Sequence, residues 1–142
     1  MYIKRISFSD KRDRKAAELE IQLQKEAAAF SFCPNINEVT FTDTDCTISM
    51  DKIDTMCLAD MYGANESDLP NQLWAEIHSI VNTLYEEAGI EYVDITPYNF
   101  IEHKNKVYII DFGDAYYKGT KPRNWFHKDF LNMPYGWNPD FA

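Results

Sequence analysis

The sequence predicts one α+β domain made of two small lobes, and three observations carry the prediction. A strand-like N-terminus is followed by one amphipathic helix and then by a pair of β-rich runs. A second amphipathic helix stops at Gly89, and two short apolar runs follow it closely. No repeat, low-complexity tract or Gly/Ser linker interrupts the 142 residues, a length that suits a single core. The expected organisation is one domain over 1–142, with residues 1–53 forming the first lobe and its connection and residues 54–142 the second.

Taken in order, Tyr2–Ser7 alternates in the manner of a strand. Ser9 or Asp10 is placed to cap a helix running to about Phe30, with Ala16, Leu19, Leu23, Ala27 and Phe30 as its apolar stripe. Pro34-Asn35 breaks that period. Residues 38–41 and 46–50 are β-rich and separated by turn-forming Thr and Asp residues, which predicts an antiparallel pair. Ser67 or Asp68, with Pro70 close behind, opens the second helix. Leu73, Ile77, Ile80, Val81, Leu84 and Ala88 form its buried stripe, and Gly89 ends it. Phe100-Ile101 and residues 107–110 read as two strands joined by a polar turn at 102–106.

Composition excludes several classes. Hydrophobic content of 45% with 15% aromatics argues against disorder. No stretch approaches 18 uninterrupted apolar residues, so no membrane span is expected, and the first residues lack the apolar core of a secretory signal. Cys33, Cys46 and Cys57 are odd in number and lack paired metal spacing, which fits free thiols in a reducing, cytoplasmic setting. His78, His103 and His127 are scattered, so neither a zinc site nor a Cys/His nucleophile pair is expected. Net charge is −9, yet six of the 14 basic residues fall within the first 15 positions. A solvated helix start explains them better than a nucleic-acid patch, because the rest of the chain would repel a polyanion.

The chemistry concentrates between Gly89 and Ala115. Asp94 is followed five residues later by Asn99, and Asp111-Phe112-Gly113 begins twelve residues after that. Phosphoryl transfer needs a carboxylate near the accepting hydroxyl and hard oxygen ligands for Mg²⁺, since its catalysis is mostly positioning and charge neutralisation. A hairpin carrying Asn99 at one end and Asp111 at the other brings such groups side by side. Carboxylates gathered this way repel, so at least one is expected to titrate above its ordinary range.

This order resembles the protein-kinase fold, where a D-x-x-x-x-N loop precedes Asp-Phe-Gly. The resemblance covers residues 2 to about 117 and is strongest over 89–115. It implies a reduced protein-kinase-like two-lobe fold that binds ATP and Mg²⁺. Asp94 takes the role of base, and Asn99 and Asp111 hold metal and nucleotide. Lys4, at the end of Tyr2-Ile3-Lys4, takes the phosphate-anchoring role, with Glu20 as its helix partner and Glu18 as the second choice. Pro34-Asn35-Ile36 resembles the loop after that helix. Met50, Asp51 and Ile53 fall where a strand and hinge grip adenine through backbone groups.

Four departures qualify the resemblance. Tyr92-Val93 replaces His-Arg before the catalytic Asp, so control by a phosphorylated segment is not expected. Thr96 stands where most protein kinases carry lysine, as in the small atypical kinases associated with the KEOPS tRNA-modification complex. Three residues before Lys4 span at most about 10 Å, too little for a glycine-rich hairpin. Only 31 residues follow Asp111, without an Ala-Pro-Glu motif, so most of the helical lobe is expected to be missing. The expected function is therefore a minimal phosphotransferase of the kind found as short viral or phage reading frames. A weak or inactive pseudokinase serving as a nucleotide-binding or interaction module is the alternative. The acceptor, with protein ahead of a tRNA-linked factor or small molecule, is not named by the sequence. The aromatic run from Trp125 to Phe141 reads as a tail folded back on the second lobe, with docking of a protein partner as the other reading.

Overall fold

The computed structural model describes residues 1–141. Strands β1 (Tyr2–Ser7), β2 (Ile36–Phe41) and β3 (Asp45–Met50) form an antiparallel sheet in the order β1-β3-β2, and helix α1 (Arg14–Ala28) joins β1 to β2. Register places Lys4 opposite Ile48 and Ile6 opposite Cys46. Alternation then turns Ile6, Cys46, Ile48 and Met50 onto one face, where they pack on Ala17 and Ile21 of α1. Three strands and one helix make up this lobe, as the pattern predicts.

Helix α1 starts later and faces differently than its apolar stripe suggests. Asp13 caps it by accepting the Ala16 N–H at 2.9 Å. Ser9 is spent on a preceding turn, accepting the Arg12 N–H on its side chain at 3.1 Å. The buried face is Ala17, Glu20, Ile21, Leu23, Gln24 and Ala27, so two polar residues lie on it. Each has a partner that permits burial: Gln24 donates to the Pro34 carbonyl at 3.0 Å, and Glu20 meets two cations.

The larger core gathers around α3 (Asn71–Glu87), whose Leu73, Trp74, Ile77, Ile80, Val81 and Leu84 are buried. The helix opens at Asn71 behind Pro70 because Asp68 is engaged elsewhere, accepting the Asn65 N–H at 3.1 Å. A short helix α2 (Leu58–Met61) precedes it. Gly89 takes φ +67°, a left-handed turn that favours glycine, and swings the chain into β4 (Ile90–Glu91). Strands β5 (Phe100–His103) and β6 (Lys106–Ile109) form the expected hairpin. Its turn is only Lys104-Asn105, both at positive φ, the two-residue geometry that matches strand twist.

Beyond the hairpin, β7 (Tyr116–Tyr117) pairs with β4, and α4 (Trp125–Asn132) packs Phe126 and Phe130 into the larger core. The tail folds back: Trp137 lies 4.4 Å from Trp74, centroid to centroid, and Asn138 is fully buried. Trp125, Met133, Tyr135 and Phe141 remain exposed. No described helix is long and apolar enough to cross a membrane.

Candidate active site

Lys4 stands between the lobes. Its Nζ is 2.5 Å from Glu20 Oε2 and 3.6 Å from Asp111 Oδ1. Glu20 is the helix partner because it lies on the buried face, 2% exposed, while Glu18 points outward and pairs with Arg14. The other Glu20 oxygen accepts from Arg12 Nη2 at 3.0 Å, so a single carboxylate is shared by two cations. Arg12 also lies against Gly113, where a Cβ would overlap its guanidinium. Glycine after Phe112 therefore lets α1's leading loop close onto the backbone that follows Asp111. Nothing in the sequence singles out Arg12 among the six early basic residues.

Asp111 sits just past the end of β6. Its Oδ1 accepts the Gly113 N–H at 2.7 Å, and its carbonyl accepts the Tyr92 hydroxyl at 2.6 Å. Tyr92 is fully buried between Phe100 and Phe112, with centroids 6.0 and 5.5 Å away. The sequence marks Tyr92 only as the residue replacing a histidine. In the fold it ties the loop that carries Asp94 to Asp111.

The loop holding Asp94 is bound at its far end by Asn99, whose Nδ2 donates to the Asp94 carbonyl at 3.0 Å. That bond engages the Asn99 Nδ2 and leaves its Oδ1 as the other polar atom of the side chain. Burial pushes the Asp94 carboxyl up to about 6; nearby Asn99 pulls it down, and the Asp114 and Asp111 carboxylates push it up. Repulsion thus contributes, but desolvation leads. Asp114 follows Gly113 directly and joins the acidic group as a member that motif reading passes over.

Met50, Asp51 and Ile53 line a largely apolar cavity of about 260 Å³ with Tyr2, Pro34, Ile101 and Ile110. Asp51 does not offer its amide freely: that N–H donates to the Asn35 carbonyl at 3.0 Å. The Asp51 carbonyl and the Ile53 N–H, like the Lys52 N–H and carbonyl, have no backbone partner among the described residues. Ile110 brings the cavity directly beside Asp111.

The family model of the RIO domain matches residues 9–134. The chain belongs to the RIO domain family. This RIO domain has the reduced two-lobe kinase-like fold, and its family is one of atypical kinase-like, ATP-binding phosphotransferases. No curated protein matches the chain.

Outside the cleft, a buried network steadies the RIO domain's second lobe. Burial and the Arg123 charge lower His127 to about 4, with Glu91 opposing them. Between pH about 4 and 6.5 the unfolded histidine holds a proton that the folded one lacks, so stability rises with pH. Asp94 acts oppositely: between about 4 and 6 the folded carboxyl holds a proton that the unfolded one has lost, and stability falls with pH. The histidine's share is about 3 kcal/mol across its window, whereas Asp94 is only half-buried, so solvent screening makes its opposing share smaller in the wild type. Asp94→Asn should unmask a stability that climbs with pH between 4.5 and 6.5, and His127→Phe one that declines, in urea titrations across that range. Equal slopes in all three proteins would contradict these assignments.

Proposed function

We propose that this RIO domain binds Mg²⁺·ATP between its lobes and transfers the γ-phosphate to a hydroxyl of a protein acceptor. The observation that carries the reading is Lys4 held between Glu20 and Asp111 beside the apolar hinge cavity. Adenine fits the cavity, with the Asp51 carbonyl and Ile53 N–H as its polar partners. Lys4 then meets the phosphates, already oriented by a buried glutamate.

The oxygen donors suit Mg²⁺. Asn99 and Asp111 are hard ligands, and Asp111 keeps 41% of its side chain exposed to reach it. Among the described residues no cluster of three or more His, Cys, Asp or Glu is poised for a metal. That suits an ion completed by phosphate oxygens and water. When bound, Mg²⁺ neutralises charge on the phosphates. Asp94, ionised above about pH 6, takes the acceptor's hydroxyl proton. The acceptor oxygen bonds to Pγ as the bond from Pγ to the bridging oxygen breaks, releasing ADP.

A second reading, nucleotide binding without efficient transfer, rests on Thr96. It is 3% exposed and brings no cation from the catalytic loop to the transferring phosphate. Label transfer from γ-labelled ATP to the chain itself or to a general protein acceptor decides between the two. Transfer should require Mg²⁺ and disappear below about pH 6. Binding without transfer selects the second reading, and transfer that survives Asp111→Asn undiminished would trace to a contaminant.

A further inference from the structure

Asp94 is flanked by two backbone carbonyls, and one residue from the far end of the chain holds both. Asn138 Nδ2 donates to the Val93 carbonyl at 2.8 Å, and the Asn138 backbone N–H donates to the Ile95 carbonyl at 2.9 Å. Its own Oδ1 accepts the Asp140 N–H at 3.1 Å, which fixes the side chain's orientation. Asn138 is completely buried, although Asn seldom is, so its polar atoms are committed to these partners.

The grip matters because the loop is weakly self-supporting. Ile95 N–H bonds back to Val93 and Thr96 N–H back to Asp94, each spanning only two residues. Such tight turns have little regular structure to propagate them. The gripping segment is itself anchored. Trp137 seats on Trp74, and its backbone N–H donates to Glu66 Oε1 at 3.1 Å. None of Lys4, Glu20, Asp111 or the hinge cavity is bonded to this segment. It also lies beyond residue 134, where the RIO domain match ends.

We propose that the segment around Trp137-Asn138 is a clamp that fixes the catalytic loop, with Asn138 as a positioning residue for Asp94. The positioning role rests on the phosphotransferase reading; the clamp itself does not. Removing Asn138's bonds should release the loop and misplace the base while sparing the nucleotide site.

Two variants of the full chain test this. Asn138→Ala removes the side-chain grip directly, and Glu66→Ala loosens the segment from an exposed position that does not threaten folding. In Asn138→Ala, amide hydrogen exchange at Ile95, Thr96 and Asn99 should speed up about tenfold or more, with α1 and β3 unchanged. Its kcat should fall about 10- to 100-fold, since a small misplacement of a base is costly. KM for ATP should stay within about twofold and the Mg²⁺·ATP melting shift should persist. Glu66→Ala should move the same readouts the same way by less, and it decides the matter if Asn138→Ala does not fold. Unchanged exchange in the loop overturns the clamp. Faster exchange with unchanged kcat overturns the positioning role, as does a loss of kcat that tracks exchange over the whole chain. A wild type that transfers no phosphate overturns the phosphotransferase reading, and exchange alone then judges the clamp.

Discussion

Asp94→Asn should lower phosphoryl transfer by about 10²- to 10⁴-fold while leaving Mg²⁺·ATP binding in place. The side chain keeps its shape but loses the ability to take a proton. Asn99 also bonds the Asp94 carbonyl, a contact the substitution keeps, so the loop should hold its form. The same substitution should raise stability at neutral pH. A carboxyl lifted to about 6 by burial and like charges is ionised there against the preference of its surroundings. Replacing it should recover part of that cost, lessened by solvent screening because Asp94 is only half-buried. Lower turnover with a higher melting temperature is the expected pair of results. Lower turnover with lower stability would show that Asp94 is structural.

Glu91→Ala should cost about 3–5 kcal/mol, because it strands a partly buried cation and two further donors. Glu91 is 1% exposed. Its Oε2 accepts the Tyr116 hydroxyl at 2.6 Å and the Asn124 N–H at 2.8 Å, and Arg123 Nη1 lies 3.5 Å from Oε1. Arg123 also stacks over Tyr85 at 4.3 Å and bonds His127, so it has little room to leave. The melting temperature should fall by roughly 10–20 °C. Glu91→Gln, which can still accept from Tyr116 and Asn124, should lose less than half as much in urea denaturation. Equal losses would mean that the charge, rather than the bonds, carries the effect.

Glu91 also shows where the sequence stops being informative. It stands three residues before Asp94, and no motif or periodicity marks it, because its partners come from segments 25 and more residues away. Local periodicity found the α3 stripe and the β5–β6 hairpin, since both are set by neighbours within a turn or two. Motif order singles out Asp94, Asn99 and Asp111, and one loop and one hairpin bring the three near one another. On α1 the same logic misjudged the face. Apolar spacing favoured Ala16 and Leu19, whereas burial of Glu20 and Gln24 depends on Lys4, Arg12 and Pro34, none of which helical periodicity can weigh. Ser9 and Asp10 were plausible caps by type, but only Asp13 has the right offset from Ala16. The roles of Tyr92, Arg12 and Asn138 are not legible in the sequence, because each rests on partners outside the local pattern: Asp111 for Tyr92, Glu20 and Gly113 for Arg12, and Val93 and Ile95 for Asn138.

The melting temperature of the wild type in ATP with Mg²⁺, against ATP in excess chelator, is the most direct test of nucleotide binding at the Lys4–Glu20–Asp111 cleft. At 100 times its dissociation constant a ligand stabilises the native state by about 2.7 kcal/mol. That should appear as an upward shift of roughly 5–10 °C with Mg²⁺, much reduced in chelator and in Asp111→Asn. No shift in the wild type, or the same shift in all three conditions, would contradict metal-dependent ATP binding at this site.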